Sequence, residues 1–296
     1  MTRIIASLAQ IASRYDAVFC DLWGCLHDGV KLFPGAVAAL QGYRAAGGLV
    51  VLVTNSPRPK SSVVRQLDAM GCPRDAWDEV VSSGDAAQYA LITGAVGRRV
   101  HHIGADKDLS FFTDFADDLQ GILKAEQPIA RTALSDAEGI VCTGLADDLT
   151  ETPDDYRARL LLAKTMGLPM LCANPDIVVD FGDRRLYCAG ALAAVYEKMG
   201  GRVLYFGKPH PPIYDLARRR LNALTKRPDL QILCIGDGIA TDIQGGMSEG
   251  LDTLFVTGGI AAAEFGADFA NPDKDLLDVY LTGRQMSVPF AIGSLR

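Results

Sequence analysis

The stretch Asp21-Leu22-Trp23-Gly24-Cys25-Leu26-His27-Asp28-Gly29 comes directly after the apolar run Ala17–Cys20. A run that is apolar at every position is typical of a strand buried on both faces of a parallel sheet. Open parallel sheets bind their ligands at the carboxyl ends of the strands. The run and the acid that follows it therefore predict an α/β fold with a ligand site that begins at Asp21.

Three further polar motifs stand after predicted strands. Thr54-Asn55-Ser56 follows residues 49–53, Gly207-Lys208-Pro209 follows 203–206, and Gly236-Asp237-Gly238-Ile239-Ala240-Thr241-Asp242 follows 232–235. Each motif on its own is more often a turn or a helix cap than a site. Because all four motifs stand at strand ends, they favour one shared site over four unrelated turns.

Strand patterns alternate with helix patterns along most of the chain. The predicted strands are residues 17–22, 49–54, 99–103, 139–143, 169–173, 203–206, 231–235 and 253–256. Between them, apolar residues recur at helical spacing, as at Ile213, Leu216 and Leu221. This alternation predicts a doubly wound parallel sheet. A second set of strands and helices separates the motifs, which predicts a domain inserted into the core.

The composition excludes several classes of protein. The 296 residues include 36 acidic and 29 basic side chains, a net charge of −7, so we expect no nucleic-acid partner. No apolar run approaches the ~18 residues of a membrane span. Ile4, Leu8 and Ile11 share a helical face, which predicts a short amphipathic helix within residues 1–13. The seven cysteines form no CxxC pair, which is typical of reduced, buried thiols in a cytoplasmic protein.

The residue types at the four strand ends suit phosphoryl chemistry. Asp21, Asp237 and Asp242 would jointly hold a hard cation such as Mg²⁺, which prefers carboxylate, water and phosphate oxygens. Thr54 offers a hydroxyl donor to a phosphoryl oxygen, and Lys208 offers a positive charge. A carboxylate beside Mg²⁺ is a nucleophile suited to forming an aspartyl-phosphate. The pattern therefore favours a Mg²⁺-dependent site for phosphate esters.

The order of these motifs resembles the haloacid dehalogenase superfamily of phosphatases, in particular its class IIA branch, which includes pyridoxal phosphatase and nucleotide phosphatases. Further motifs that carry the resemblance are Phe33-Pro34-Gly35-Ala36, Val53-Thr54-Asn55-Ser56-Pro57-Arg58, Ser82-Ser83-Gly84-Asp85, Ala173-Asn174-Pro175-Asp176 and Gly190-Ala191-Leu192. The resemblance covers nearly the whole chain. It implies a Rossmann-like core, residues 1–83 plus 201–296, an inserted α/β cap of the C2 type, residues 84–200, and it allows a homodimer formed through the cap.

The resemblance also implies roles at the metal site. Asp21 is expected to be the nucleophile and a Mg²⁺ ligand, and Asp237 a second direct ligand. Asp242 is expected to hold a metal-bound water or Lys208. Trp23 is expected to give only its backbone carbonyl to the metal.

Phosphate and substrate binding are likewise implied by the resemblance. Thr54, Asn55 and Lys208 are expected to bind the phosphoryl group. Asp183-Arg184-Arg185, with Phe181, falls where the class IIA cap carries its substrate-specificity loop. Arg184 or Arg185 is expected there to pair with an anionic group of the substrate, and a surface turn is the alternative.

Trp23 departs from the family pattern. The family's phosphatases have a second Asp two residues after the nucleophile, which protonates the leaving oxygen and later activates water. An indole has no proton that titrates in the useful range, and the loss of a general acid–base group typically costs ~10²–10⁴-fold in rate. His27 and Asp28 are the candidates for a substitute proton carrier.

Three functions remain open at this level. The first is Mg²⁺-dependent hydrolysis of a small phosphorylated metabolite through an aspartyl-phosphate, which the acids, Thr54 and Lys208 favour. The second is a catalytically weakened protein that binds a phosphorylated ligand in a regulatory role, which Trp23 favours. The third is chemistry at carbon, which ranks last because it does not need the full metal set.

Overall fold

The larger of two parallel sheets carries three of the four motifs at its strand ends, whereas Gly207-Lys208-Pro209 follows a strand of the smaller sheet. The computed structural model describes residues 2–182 and 184–296. Within them, the larger sheet has seven strands, in the order β1-β14-β13-β12-β2-β3-β4. They are β1 (Arg3–Ile4), β2 (Ala17–Cys20), β3 (Leu49–Thr54), β4 (Glu79–Ser82), β12 (Ile232–Gly236), β13 (Asp252–Val256) and β14 (Phe290–Ile292).

The strand order places a switch point at the centre of this sheet. After β2 the sheet grows in one direction to β3 and β4, and after β12 it grows in the other direction to β13 and β14. The strands β2 and β12 are neighbours, with Phe19 opposite Cys234. Open α/β sheets bind ligands in the crevice at such a point.

The smaller parallel sheet is built from the middle of the chain. Its order in the described residues is β11-β8-β7-β5-β6. The strands are β5 (Arg99–Ile103), β6 (Ala130–Arg131), β7 (Gly139–Cys142), β8 (Met170–Cys172) and β11 (Val203–Tyr205). An antiparallel hairpin of β9 (Val178–Phe181) and β10 (Arg184–Tyr187) stands between β8 and β11 in the chain.

Helices cover the sheets. They are α1 (Pro34–Ala45), α2 (Lys60–Ala69), α3 (Ser83–Ile92), α4 (Asp117–Ala125), α5 (Arg157–Thr165), α6 (Ala189–Lys198), α7 (Pro211–Leu224), α8 (Gln244–Ser248) and α9 (Lys274–Gly283). Alternate strand residues face opposite layers: Val18 and Leu52 pack with α1 and α2, whereas Phe19 and Val51 pack with α7. The central strands are therefore buried on both faces, as their apolar runs predicted. No helix in the described residues is both long enough and apolar enough to cross a bilayer.

The doubly wound fold is confirmed, with one local correction. The predicted strands 49–54 and 99–103 match the structure residue for residue, and the other predicted strands differ by one or two residues at their ends. The predicted helix over residues 1–13 is wrong: β1 pairs with β14, and two separate 3₁₀ turns follow. Burial of Leu8 and Ile11 explains the apolar spacing without a continuous helix, and Met1 lies outside the described residues.

The domain division stays a prediction. The strand β11 lies inside the range 201–296 predicted for the core, but it pairs with β8 of the smaller sheet. This pairing favours a boundary after residue 205 over one at 200/201.

Candidate active site

The four motifs meet at the switch point. Asp21 follows β2 directly, and Asp237 follows the neighbouring strand β12. Thr54 ends β3, on the other side of β2. Asp21, Thr54 and Asp237 are all at least nine-tenths buried. The sheet therefore brings together residues that lie in separate parts of the sequence.

Lys208 forms the centre of a buried ion cluster. Its Nζ lies 2.7 Å from Oδ1 of Asp21 and 2.7 Å from Oδ1 of Asp242, and it donates to the Val53 carbonyl at 3.0 Å. The Lys208 side chain is 4% exposed. Of the two contacts that the resemblance allowed for Asp242, the structure shows the contact with Lys208.

Burial shifts the titration of this cluster. It raises the pKa of Asp21 well above its ordinary value, and the neighbouring Asp242 carboxylate adds to the effect. Burial also raises the pKa of Asp237 to about 7. For Lys208, burial disfavours the charged form, but the carboxylates of Asp21 and Asp242 outweigh it and raise the pKa. If all four groups were ionised, three carboxylates would exceed one ammonium by two negative charges, and this repulsion adds to the raised pKa values of Asp21 and Asp237.

The donor set fits a divalent cation. Carboxylate oxygens of Asp21 and Asp237 and the Cys25 sulfur all lie within 4.8 Å of one another. No described residue donates a hydrogen bond to the Trp23 carbonyl oxygen. Gly24, at φ +73°, passes so close to Asp237 that a Cβ would collide with its carboxylate. Two carboxylates and a free carbonyl are ligands that Mg²⁺ accepts.

Asn55 ties the phosphate motifs together. Its Oδ1 accepts the backbone N–H of Lys208 at 2.7 Å, and its Nδ2 donates to the Lys208 carbonyl at 3.1 Å. The same Nδ2 donates to Oδ1 of Asp176 at 2.8 Å. The acceptor oxygen and the donor nitrogen of the Asn55 side chain are thus both engaged within the protein. The geometry therefore favours a positioning role for Asn55. The Thr54 hydroxyl accepts from the Ser56 N–H at 3.2 Å, which leaves its own proton available for a ligand.

Two cavities open onto this cluster. The larger, about 410 Å³, is lined by Asp21 and Thr54 and also by residues of the hairpin and of the segments that follow β7 and β8. The smaller, about 220 Å³, is lined by Asp21, Lys208 and Asp237. Trp23 and Asp176 line both. The larger cavity has the size of a small-metabolite site.

Trp23 packs against the hairpin. Its ring centroid lies 5.9 Å from that of Phe181 and 5.2 Å from that of His27. Gly29, at φ +89°, lies under the ring, where a Cβ would collide with it. The indole is thus held in place at the position where the resemblance predicts the family's second Asp.

Neither predicted substitute for that Asp faces the larger cavity. His27 is 1% exposed, its Nδ1 accepts the Gly29 N–H at 3.0 Å, and burial lowers its pKa to about 4. The Asp28 carboxylate accepts the N–H groups of Val30 and Lys31 at 2.8 and 2.6 Å. Asp28 borders only the smaller of these two cavities.

The structure does not bring the hairpin arginines to the cluster. Arg184 is exposed and lines neither of these cavities. Arg185 pairs with Asp180 at 2.7 and 2.8 Å. Asp183 lies outside the described residues. A binding role for Arg184 stays a prediction; the structure places this residue at the exposed start of β10.

Sequence reasoning missed three residues at the site. Cys25 was assigned only to the core, yet its sulfur borders the carboxylates. Asp176 lies in one of the motifs that carry the resemblance and has no predicted role, yet it accepts a hydrogen bond from Asn55, and burial raises its pKa to about 6. Arg58 lines the larger cavity and is held by Gln66 at 2.7 Å. The signal that could have identified these three residues is that each stands in or next to one of the sequence motifs.

Comparison with known proteins identifies the family. Residues 18–116 match a model described as haloacid dehalogenase-like hydrolase, and residues 205–279 match a HAD-hydrolase-like model. The crystal structure of a haloacid dehalogenase-like hydrolase from Brucella suis 1330 is 40% identical, with a TM-score of 0.84, over 98% of this chain and 99% of that one.

Two further relatives are more distant. The ribonucleotide monophosphatase NagD of Escherichia coli K12 is 27% identical over 83% of this chain and 89% of its own length. A glycerol phosphate phosphatase from Mycobacterium tuberculosis, crystallised with magnesium, is 25% identical, with a TM-score of 0.61, over 86% of this chain and 71% of that one. The chain therefore belongs to the haloacid dehalogenase-like hydrolase family, in its class IIA phosphatase branch.

Proposed function

We propose that this chain is a Mg²⁺-dependent phosphatase of a small phosphorylated metabolite and that Asp21 is its nucleophile. The observation that carries the proposal is the buried cluster of Asp21, Asp237 and Asp242 around Lys208. In its ionised form, a buried cluster with more carboxylates than ammonium groups is stabilised by a bound cation. The named activities of NagD and of the glycerol phosphate phosphatase support a small phosphorylated substrate.

In this proposal each residue acts at a stated atom. A carboxylate oxygen of Asp21 attacks phosphorus, while the Thr54 hydroxyl and the Lys208 ammonium bind the phosphoryl oxygens. Asp242 orients Lys208, and Asn55 fixes the loop that carries Lys208. Asp21, Asp237 and the Trp23 carbonyl would hold Mg²⁺, which supplies stabilisation of the developing negative charge when it is bound.

A screen of phosphorylated metabolites tests this function. Phosphate release is measured with and without Mg²⁺ for the wild type, Asp21→Asn and a control, Asp78→Asn, whose carboxylate pairs with Arg44 away from the site. We expect Mg²⁺-dependent release from at least one substrate, lost in Asp21→Asn and kept in Asp78→Asn. Retained turnover in Asp21→Asn would refute the assignment of Asp21 as the nucleophile.

A second function, binding without turnover, is favoured by one observation. Trp23 occupies the position of the missing acid, and its ring is locked against Gly29 and Phe181. A protein that binds beryllium fluoride with Mg²⁺, as a phosphoryl mimic, but releases no phosphate from any compound of the screen would support this alternative.

A further inference from the structure

The carboxyl group of Asp176 has no part in the reaction proposed for Asp21, yet it borders the same space. Asp176 stands in the segment after β8 and accepts a hydrogen bond from Asn55, which directly follows β3. Among the described acidic residues, only Asp21 and Asp176 line both cavities, and Trp23 lines both as well. A second acid therefore borders the space beside Trp23, where the resemblance predicts an acid.

Asn55 determines which oxygen of Asp176 is free. The backbone N–H of Lys208 can only donate, so the side-chain oxygen of Asn55 faces Lys208. The side-chain nitrogen of Asn55 then donates to Oδ1 of Asp176 at 2.8 Å. No described residue donates a hydrogen bond to Oδ2 of Asp176. Oδ2 is therefore the oxygen that can carry a proton, while the bond to Oδ1 holds the carboxyl group in place.

The surroundings of Asp176 suit proton transfer in both directions. Burial raises the pKa of Asp176 to about 6, and it outweighs the Asn55 hydrogen bond and the charge of Lys208, which lower the pKa. The negative charge of Asp242 adds to the rise. A carboxyl group whose pKa lies near neutrality can both give up and take up a proton during a reaction at neutral pH.

We propose that Asp176 is the general acid and base that replaces the acid missing at position 23. The proposal rests on the proposed function and adds a catalytic residue to it. As the bond from Asp21 to phosphorus forms and the ester bond breaks, the leaving oxygen keeps the electron pair and takes the proton from Oδ2 of Asp176. In the second step, the Asp176 carboxylate removes a proton from the water that attacks phosphorus. The bond between phosphorus and Asp21 breaks, and its electron pair returns to the Asp21 carboxylate.

The rates at which phosphorylated protein forms and decays test the proposal in Asp176→Asn. The amide keeps the size of the side chain and an oxygen that accepts from Asn55, but it cannot transfer the proton. Rapid quenching with Mg²⁺ present measures formation from 4-nitrophenyl phosphate and from glycerol 3-phosphate, because only the alkyl leaving oxygen needs a proton. Removal of the substrate then gives the rate of decay.

Asp108→Asn is the matched control, because Asp108 is also buried and lines the larger cavity but not the smaller one. Asp176→Ser removes the carboxyl group in a second way, and thermal melts select the variant of Asp176 that is folded.

In the variant of Asp176, we expect formation from glycerol 3-phosphate to slow by about 10²-fold and formation from 4-nitrophenyl phosphate to change by less than about threefold. Decay of the phosphorylated protein should slow by about 10²-fold as well, because the base that activates water is lost. Asp108→Asn should affect both substrates alike and leave the decay as in the wild type.

Equal slowing of both substrates in a folded variant of Asp176, or an unchanged decay, would overturn the role of Asp176 while leaving Asp21 as the nucleophile. A selective loss in Asp108→Asn instead would do the same, as would a wild type that forms phosphorylated protein from the aryl ester alone. A wild type that turns over either substrate without phosphorylated protein would overturn the proposed function itself.

Discussion

The ammonium of Lys208 lies 2.7 Å from the carboxylate of Asp21, and both side chains are buried. The two residues stand on either side of the whole smaller sheet in the chain. Their contact exists because β2 and β3 are neighbours and because Asn55, directly after β3, accepts the backbone N–H of Lys208. The cluster therefore depends on the tertiary fold, which brings the end of β11 in the smaller sheet to the end of β2 in the larger one, and not on local sequence.

Replacement of Lys208 should weaken both the fold and the site. Lys208→Met leaves three buried carboxylates without their cation, and breaking a buried pair typically costs about 3–5 kcal/mol. The free energy of unfolding in urea, measured without Mg²⁺, gives the loss. Lys60→Met is the control, because Lys60 pairs with Glu79 nearer the surface and such pairs contribute about 0–1 kcal/mol. Equal losses of unfolding free energy in the two variants would contradict the conclusion that Lys208 is the cation that stabilises the buried carboxylates.

Replacement of Asp237 should remove Mg²⁺ binding. Asp237→Asn keeps the size of the side chain and the acceptor for the Ile260 N–H, which Asp237 now binds at 2.8 Å, but removes a charge from the proposed donor set. Calorimetric titration of the wild type should show a Mg²⁺ site, and the variant should show none. The melting temperature should rise with Mg²⁺ only for the wild type, since a ligand that binds the folded state stabilises it. Equal binding by both proteins would rule out Asp237 as a ligand.

An acid restored at position 23 should change which substrates react. Trp23→Asp should raise hydrolysis of alkyl phosphates by up to ~10²-fold, because their leaving oxygens need a proton. The gain should be smaller for 4-nitrophenyl phosphate. Loss of the indole leaves a cavity that costs about 3–5 kcal/mol, so a thermal melt must show a folded variant. A folded Trp23→Asp whose ratio of alkyl to aryl rates does not rise would show that the missing acid does not limit the site.

Stability should fall in mild acid through a half-buried histidine of the smaller sheet. Burial lowers the pKa of His102 to about 4, from an ordinary value near 6.5. The unfolded chain therefore takes up this proton at a higher pH than the folded protein does. The contribution of His102 to stability is full above pH 6.5 and is lost as the pH falls towards 4.

His102→Gln isolates that contribution. The His102 Nε2 lies 2.9 Å from the Thr143 hydroxyl oxygen, and a glutamine amide is the closest neutral replacement. Urea midpoints between pH 7.5 and 4.5 should fall less steeply in His102→Gln than in the wild type. His101→Gln, next along the strand, is the matched control. An unchanged pH dependence in His102→Gln would contradict the assignment.

The sequence predicts the buried strands of this molecule better than it predicts the side-chain contacts between distant segments. Strands such as 49–54 carry their own signal, because both faces are apolar and polar residues follow. The strand β1 carries none, since a two-residue edge strand has no periodicity, and the spacing of Leu8 and Ile11 is compatible with a helix. The motif order was enough to expect Asp21, Thr54, Lys208 and Asp237 at one site, at the carboxyl ends of the strands.

Contacts between residues that are far apart in the sequence could not be predicted from it. The bond from Asn55 to Asp176 and the packing of Trp23 on Phe181 join residues whose local patterns say nothing about each other. Arg184 shows the same limit, because a position that fits a family loop does not fix the direction of its side chain, and its binding role stays a prediction. Periodicity reports burial and secondary structure, whereas the partners of a side chain follow from the tertiary fold.

The phosphorylated state of Asp21 is the most direct test of the central claim. The protein is mixed with 4-nitrophenyl phosphate and Mg²⁺, quenched in acid at a series of times, and analysed by mass spectrometry of the intact chain and its peptides. We predict one phosphoryl group, carried by the peptide that contains Asp21 and absent from Asp21→Asn. Turnover of the substrate with no phosphorylated protein at any time, or with the group on another residue, would contradict the account.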